Sequence, residues 1–357
     1  MISDMGVTVV VSIDALRSFA GRCFESVGVP SEEAATAAGV LAGTDAFGVF
    51  THGTKLLSGY LKKLRGGGYV AGAVPRVERS GAGWAVLDGC SGLGQVGCVR
   101  AMELAISKAR VCGVSWVGLR NTGHIGAAGQ YALQAAAAGF AAVITGNDIP
   151  SVAAPGSRGA VLGSNPLAYA IPTDTDPIFL DIATAAVAGG KVYAAWQRGE
   201  PIPPSWLIGP DGHPTTDGSL YPHSASLAPM AGHKGYGLGL WCEVMSGLLP
   251  GGRMTWEVGS WIFDPADRPS WHNASMTVYD LSALGEGVGW EERIGRLKAE
   301  LRGAVPAEGS SGVMLPGERE WMNYRGARER GIELPEDVCV KLREAAVIAG
   351  VEIPVGV

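Results

Sequence analysis

The stretch of residues 84–119, WAVLDGCSGLGQVGCVRAMELAISKARVCGVSWVGL, decides the fold class of this chain. A short apolar run at 84–87 is followed by a longer helical pattern at 95–110 and by a second apolar run at 114–119. Short buried strands that alternate with helices are typical of a layered α/β sheet. The stretch therefore predicts a strand, a helix and a strand in that order.

The same alternation continues towards the C-terminus and extends the predicted sheet. Helices are predicted at residues 126–138 and at about 235–248. Further strands are predicted at residues 141–145, 167–171, 178–180, 261–263 and 276–279. Turn residues separate these runs, as expected between the elements of a layered sheet. The middle of the chain is thus predicted to be α/β.

Helical patterns dominate both ends of the chain. They predict helices after Ser12, from Pro30, and at residues 54–65, 291–301 and 336–348. Amphipathic helices need a partner surface on which to bury their apolar side. We therefore expect one helical domain built from both chain ends, residues 1–75 and 286–357, beside an α/β domain at residues 76–285.

Length, composition and charge restrict the class of protein. The chain has 357 residues, 47% apolar and 17% charged, which suffices for two domains with buried cores. A net charge of −6 without a basic patch argues against a nucleic-acid partner. The first residues lack a basic signal region, and the longest apolar stretch, 135–146, is too short to span a membrane. We therefore expect a soluble, cytoplasmic protein.

The cysteines and histidines do not form a metal-binding pattern. The six cysteines lie far apart without a Cys-x-x-Cys pair, which predicts reduced thiols rather than a zinc ribbon or a disulfide framework. His213, His223 and His233 recur every ten residues, a spacing that does not place two imidazoles on one helix face. We expect no metal site.

Residues 92–97, GLGQVG, match the glycine pattern of a dinucleotide-binding turn. They follow a predicted strand and open a predicted helix, which is the required context. However, the next strand ends at Arg120 and Asn121 without the carboxylate that binds the ribose hydroxyls. Two interpretations stay open: a Rossmann pocket at Gly92–Gly97, or a turn whose glycines serve packing.

Two histidines are the candidate acid/base groups. His52 follows Thr51 just before a predicted helix, where a neighbouring hydroxyl can orient the imidazole. His124 lies in a polar, glycine-rich loop between a strand and a helix, where α/β sheets present ligand-contacting groups. Each histidine alone is equally compatible with a structural role.

Two charged residues lie where predicted strands end or helices begin. Asp181 ends an apolar strand, where a carboxylate binds a polar ligand group, orients a histidine or caps a helix. Lys234 begins a predicted helix, where a cation is unfavourable unless an anion binds there too or the side chain turns into solvent. The loops around Asn147 and Asn165 offer further donors.

Taken together, these motifs resemble the malate/L-lactate dehydrogenase type 2 family, which includes ureidoglycolate, sulfolactate and diketogulonate-type oxidoreductases. The resemblance covers most of the chain, and its parts follow the family's order. The segments are THG at 51–53, Asp88 with Gly94 and Gln95, RNTGHIGA at 120–127, GSNPL at 163–167, LDIAT at 180–184, DG at 211–212 with TTD at 215–217, KGYGL at 234–238 and LPGE at 315–318.

The resemblance implies an NAD- or NADP-dependent oxidoreductase that works as a homodimer, with a layered mixed-sheet cofactor domain of non-Rossmann type. It implies acid/base catalysis by His52 or His124, assisted by Thr51 and Asp181. The implied cofactor-binding residues are Asp148, Ser164, Asn165, Asp181, Ile182, Ala183, Thr184, His233, Lys234, Gly317 and Glu318. We expect Tyr60, Lys55 and Asn147 to bind the substrate.

The chain departs from the family pattern near the substrate. Many members carry an arginine four residues after the histidine of the THG motif, but this chain has Leu56. Loss of a charge-assisted contact to a substrate carboxylate costs about 1.5–3 kcal/mol. Lys55 is the nearest cation, although adjacent helical residues point in different directions. The segment after Gly252 also omits part of a loop, so the substrate need not be that of the relatives.

The expected reaction is hydride transfer between NAD(P) and C2 of a small 2-hydroxy/2-oxo acid, such as malate, lactate, a ureidoglycolate-like acid or an imine acid. Removal of a hydride from an alcohol carbon requires a base on the hydroxyl, and a near-neutral imidazole serves both directions. Two alternatives are a Rossmann-type dehydrogenase that uses Gly92–Gly97 and a non-catalytic dinucleotide-binding homologue.

Overall fold

The computed structural model describes residues 9–357. Its strands, in chain order, are β1 Val9–Val11, β2 Arg76–Ser80, β3 Trp84–Asp88, β4 Val114–Thr122, β5 Phe140–Gly146, β6 Val152–Ala153, β7 Ala160–Leu162, β8 Pro166–Ile171, β9 Ile178–Ala183, β10 Leu207–Ile208, β11 Pro214–Thr215, β12 Ser226–Leu227, β13 His272–Asp280 and β14 Ile332–Leu334. Its α-helices are α1 Ile13–Ser26, α2 Ser31–Ala46, α3 Leu57–Gly66, α4 Gly94–Cys112, α5 Gly129–Ala137, α6 Gly189–Gln197, α7 His233–Glu243, α8 Leu281–Leu284, α9 Trp290–Arg302, α10 Glu318–Arg330 and α11 Glu336–Ala349.

A seven-stranded mixed sheet forms the centre of the molecule, in the order β2-β3-β4-β13-β5-β8-β9. The late strand β13 lies between β4 and β5 and is antiparallel to both, with Met276 opposite Val117 and Ile144. These three side chains are fully buried, since α4 and α5 cover the sheet. The predicted α/β class is therefore confirmed.

Helices from both chain ends share a second core. Leu16 and Phe19 of α1 belong to the same buried cluster as Leu342 of α11, and β1 pairs with β14. The Ser12 hydroxyl accepts the Ala15 amide and caps α1, as its position predicts. Helix α9 packs elsewhere, with Ile294 in a small cluster beside β9. The domain division at residues 75 and 285 stays a prediction, and residues 1–8 of its first segment lie outside the described chain.

A smaller five-stranded sheet, β11-β10-β12-β6-β7, packs with α6 on one side of the molecule. The sequence patterns missed this unit because its strands have only two or three residues each. This unit forms one wall of the cleft that is described in the next subsection.

The strand predicted at residues 261–263 is wrong. The segment is a turn, because the Ser260 hydroxyl accepts the amides of Ile262 and Phe263 at 3.3 and 2.9 Å. These local bonds remove the donors that a strand would present to a neighbour. Within residues 9–357, no helix is long and apolar enough to cross a membrane.

Candidate active site

A cleft of about 770 Å³ lies between the helical layer and the central sheet. Its walls come from the loop before α3, the loop before α5, the end of β9, the residues before α6, and the turn at 260–263. This volume is in the range of small-molecule and cofactor sites. Residues far apart in the chain therefore meet at one cavity.

The two candidate histidines face each other across this cleft. The ring centroids of His52 and His124 are 5.9 Å apart, and the rings are inclined by 29°. Both residues line the cleft. Two imidazoles at this separation can contact the same substrate oxygen or adjacent substrate atoms.

Three aromatic side chains fix His124. The Tyr60 hydroxyl lies 2.8 Å from His124 Nδ1, and the Tyr69 hydroxyl accepts the His124 backbone N–H at 2.9 Å. The Trp261 ring stacks on the imidazole with a centroid distance of 4.7 Å. Burial, followed by the neighbouring His272, lowers the pKa of His124 well below its ordinary value. His124 is therefore neutral at physiological pH.

His52 is held through the loop on which it lies. The Thr51 hydroxyl is 3.0 Å from His52 Nδ1, which leaves Nε2 for a ligand. Buried Asp45 anchors the following residues, because its Oδ2 accepts the Thr54 amide at 2.9 Å. A Cβ on Gly53 would lie 1.8 Å from Asp45 Oδ1, so only glycine fits there. Burial lowers the pKa of His52, and Asp148 partly opposes this effect.

A third histidine, His272, joins the site, and the sequence patterns did not identify it. His272 Nε2 lies 3.0 Å from Asp148 Oδ1, and its ring meets that of His124 edge-on at 5.5 Å. Burial by itself would raise the pKa of Asp148, but the hydrogen bond with His272 and the nearby imidazoles of His272 and His124 lower it to about 2. In the sequence, His272 comes just before an apolar strand, and Asp181 comes just after one. This position is the signal that could have identified His272 as a site residue.

The hydrogen bonds around His272 have one self-consistent direction. The Tyr69 hydroxyl is 3.0 Å from Ser270 Oγ, which is 2.9 Å from His272 Nδ1. Burial raises the pKa of Tyr69 to about 12, so this hydroxyl stays protonated. If Tyr69 donates to Ser270 and Ser270 donates to Nδ1, His272 Nε2–H donates to Asp148. The carboxylate is then held as an anion beside the histidines.

Asp181 borders the same cleft as this network. Its Oδ2 accepts the Gly129 amide at 2.7 Å, at the first turn of α5. The residue is exposed to the cleft, and partial desolvation by the cleft walls raises its pKa to about 6, although the Gly129 bond works in the other direction. Near neutral pH Asp181 is therefore mostly ionised and mainly accepts hydrogen bonds, and its protonated fraction grows as the pH falls towards 6.

The predicted cofactor residues fall into three groups. Asp148, Ser164, Asp181, Ile182, Ala183 and Gly317 border the cleft. Asn165 and Thr184 are buried behind it, where Asn165 Oδ1 accepts the Asp148 amide at 3.0 Å. His233, Lys234 and Glu318 are outside the set that borders it: the first two are exposed on α7, and Glu318 pairs with Arg302.

The predicted substrate residues differ in what they contact. Lys55 and Asn147 border the cleft, but Lys55 Nζ lies 2.5 Å from Asp337 and is thus already paired. Asn147 is fixed by Glu243 at 3.1 Å. Tyr60 is fully buried and acts on His124 rather than reaching the cleft. Leu56 and Trp261 also line the cleft.

The glycine motif at residues 92–97 does not border the cleft. A Cβ on Gly94 would lie 2.4 Å from the His124 carbonyl oxygen and 2.5 Å from that of Gly123. Glycine is needed there because α4 begins directly against the loop that carries His124. This packing role fits the second of the two interpretations of the motif. Within residues 9–357, no group of three or more potential metal ligands is found.

Known proteins match this chain along nearly its whole length. Residues 11–343 match the family model described as malate/L-lactate dehydrogenase. The malate dehydrogenase of Pyrococcus horikoshii is 34% identical over 346 residues, 95% of each chain. The NAD⁺ ureidoglycolate dehydrogenase of Escherichia coli strain K12 is 34% identical and covers 87% of this chain and 88% of its own. The crystal structure of malate dehydrogenase from Entamoeba histolytica superposes with a TM-score of 0.90 at 28% identity, covering 97% of this chain and 99% of that one.

Proposed function

This chain belongs to the malate/L-lactate dehydrogenase family, and from that membership we propose that it transfers a hydride between NAD(P) and C2 of a small 2-hydroxy/2-oxo acid. The observation that carries the proposal is the pairing of His52 and His124, 5.9 Å apart, in a cleft of about 770 Å³. The reaction requires a group that exchanges the hydroxyl proton as hydride leaves or arrives. Two imidazoles that face one cavity supply such a group.

The two histidines take different parts of the proton chemistry. The strongly lowered pKa of His124 keeps it neutral, and Tyr60 occupies its Nδ1, so its Nε2–H donates to the substrate oxygen. The pKa of His52 is lowered less than that of His124, so His52 Nε2 takes the hydroxyl proton during oxidation and returns it during reduction. The two histidines can take different roles because their environments lower their pKa values to different extents.

The cleft suits a nicotinamide cofactor, which supplies or accepts the hydride when bound. Ser151 borders the cleft, and its hydroxyl oxygen is buried without a hydrogen-bond partner, so a ligand group can satisfy it. Asp181 is suited to an amide group. Lys191 and the N-terminus of α6 border the same cleft and are suited to a phosphate. His233, Lys234 and Glu318 remain proposed cofactor residues.

The cofactor domain is proposed to be of the non-Rossmann type. Among the strands described between residues 9 and 357, the seven-stranded sheet has one parallel pair, β3 with β4. A Rossmann sheet is mostly parallel, with helical crossovers between its strands. The antiparallel strand β13 at the centre of this sheet is incompatible with that order.

The chain is also proposed to form a homodimer. Five large apolar residues on α7 and directly after it are 39–55% exposed and are here called the α7 surface: Leu238, Leu240, Trp241, Leu248 and Leu249. Contiguous exposed apolar residues mark interaction sites. A symmetric dimer places the same surface on both copies, so each copy covers the other.

The function is tested by reduced-nicotinamide oxidation with a panel of 2-oxo acids and both NADH and NADPH. We expect turnover that falls by about 10²- to 10⁴-fold in His52→Ala and in His124→Ala. Binding of NADH, followed by fluorescence, should persist in both variants. His213→Ala is the matched control, since His213 is exposed outside the cleft. NADH binding without turnover on any acid would instead indicate the non-catalytic homologue.

A further inference from the structure

Apolar side chains form the wall of the cleft beside the histidines. Leu56, Trp261, Ile262 and Phe263 all line it. Ile262 and Phe263 are 61% and 67% exposed, although both are large apolar residues. Such residues normally remain exposed at a cavity mouth where a ligand covers them. These four side chains are called the apolar wall.

The turn that carries most of the apolar wall is firmly built. Ser260 Oγ accepts the amides of Ile262 and Phe263, and Asp264 Oδ2 accepts the Ser260 amide at 3.0 Å. The Gly259 amide donates to the Ser270 carbonyl at 2.9 Å. The exposed positions of Ile262 and Phe263 are therefore fixed by local hydrogen bonds.

Helix α3 also holds this turn in position. Lys63 is 2% exposed, and its ammonium donates to the carbonyl oxygens of Pro265 and Arg268, both at 2.9 Å. Gly59 leaves room for the Trp261 ring, because a Cβ there would lie 2.7 Å from Trp261 Cζ3. A buried lysine used only to hold backbone indicates that the position of this turn matters to the cleft.

The apolar wall lacks a free cation. Of the described residues that border the cleft, none is an arginine, and the two lysines are Lys55 and Lys191. Lys55 is paired with Asp337, and Lys191 lies on α6 rather than beside the turn. A second carboxylate on the substrate would lose water against the apolar wall without gaining a partner, which is strongly unfavourable.

We infer that this site prefers 2-oxo or 2-hydroxy monocarboxylic acids, including cyclic imine acids, whose carbon chain carries a branched aliphatic or aromatic group, over dicarboxylic acids. The inference rests on the proposed function, since it concerns the same cleft. The apolar group of the substrate would cover Ile262 and Phe263, while the C2 oxygen faces His52 and His124. Each buried methylene-sized group contributes about tenfold or more to such discrimination.

The test compares kcat/KM for phenylpyruvate, the 2-oxo acid of leucine, pyruvate and oxaloacetate with a saturating reduced cofactor. We expect phenylpyruvate or the leucine-derived acid to exceed oxaloacetate by at least about tenfold. Oxaloacetate equal to or better than both would overturn the inference while the proposed function stands. No turnover on any acid despite NADH binding would count against the proposed function itself.

Variants of the apolar wall separate specificity from general damage. Phe263→Ala and Ile262→Ala should lower kcat/KM for phenylpyruvate, mainly through KM, by about tenfold more than they lower kcat/KM for pyruvate. Leu56→Lys should raise the ratio of oxaloacetate to phenylpyruvate. Trp256→Ala is the matched control, because Trp256 is 69% exposed and outside the cleft. Equal losses for phenylpyruvate and pyruvate would contradict a role of the apolar wall in specificity.

Discussion

The negative charge of Asp148 affects the pKa values of the histidines in the site. Its carboxylate is bonded to His272 and raises the pKa of both His52 and His124, against the burial that lowers them. The nearby Asn165 amide oxygen holds its backbone and is neutral. Burial lowers the pKa of His52, and the Asp148 carboxylate raises it. These two opposing effects therefore set the pH range in which His52 exchanges a proton.

Asp148→Asn should shift the pH profile in a defined direction. Loss of the negative charge lowers the pKa of His52 further. Oxidation needs neutral His52 and rises with pH through its pKa, so that rise moves to lower pH. Reduction needs protonated His52, so at neutral pH it slows by about tenfold per unit of pKa shift. The measurement is kcat/KM against pH in both directions at saturating cofactor.

The control for this variant is Asp211→Asn, which removes an exposed carboxylate on another loop. Its pH profile should match that of the unmodified protein. A profile of Asp148→Asn that is unchanged, or displaced to higher pH, would contradict the assigned effect of Asp148 on His52.

Single residues also show where prediction from sequence ends. His52, His124 and Asp181 were identifiable because they lie beside glycine-rich loops or strand ends. His272 was not, because its role depends on β13 pairing with β5, which brings it next to Asp148 from 124 residues away. Sequence spacing carries no information about such a partner. The assignment of the proposed site residues to cofactor and substrate stays a prediction.

Among the elements, helix α3 and the turn at 260–263 act as one unit. Lys63 links them through backbone carbonyls, and Gly59 and Gly66 allow close approach. Helix α3 also carries Tyr60, the partner of His124. The helix thus positions a catalytic histidine on one side and the apolar wall on the other.

Lys63→Met should loosen this unit. The carbonyl oxygens of Pro265 and Arg268 would lose a buried donor, which costs about 1–3 kcal/mol for each unsatisfied group. We expect lower stability in urea, faster amide hydrogen exchange at residues 260–264, and a higher KM for phenylpyruvate. NADH binding should change little, since the cofactor is proposed to bind elsewhere in the cleft.

Lys62→Met provides the control for that variant, because Lys62 is the adjacent lysine but is exposed and pairs with Glu344. It should be near wild type in stability and in hydrogen exchange. If both lysine variants behaved alike, the anchoring role of Lys63 would be wrong.

Elements with strong periodicity were predictable and short ones were not. The predicted strand at 84–87 and helix at 95–110 match β3 and α4 within a few residues, because apolar spacing there reports burial directly. The turn at 261–263 is equally apolar, but the Ser260 hydroxyl bonds decide its structure. The two-residue strands of the small sheet are too short to show a period.

At the scale of the whole molecule, the α7 surface is an exposed apolar region that is proposed to have a partner outside the described chain. Trp241→Glu should place a charge at the centre of the proposed dimer contact and convert dimer to monomer. Sedimentation or light scattering measures this directly. Burying an unpaired carboxylate in an apolar interface is strongly unfavourable.

The matched control for the dimer prediction is Trp196→Glu. Trp196 is 49% exposed, close to the 55% of Trp241, but lies on α6 and is not one of the residues of the α7 surface. It should leave the oligomeric state unchanged. A wild-type monomer, or dissociation by both variants alike, would contradict the assigned interface.

The central place of β13 has a consequence for biosynthesis. This strand separates β4 from β5, yet its last residue is Asp280 of a 357-residue chain. On the ribosome, both neighbouring strands emerge long before the strand that joins them, and each leaves an unpaired edge. Nascent chains halted before residue 272 should therefore be natural clients for chaperones, whereas release of the next few residues closes the sheet.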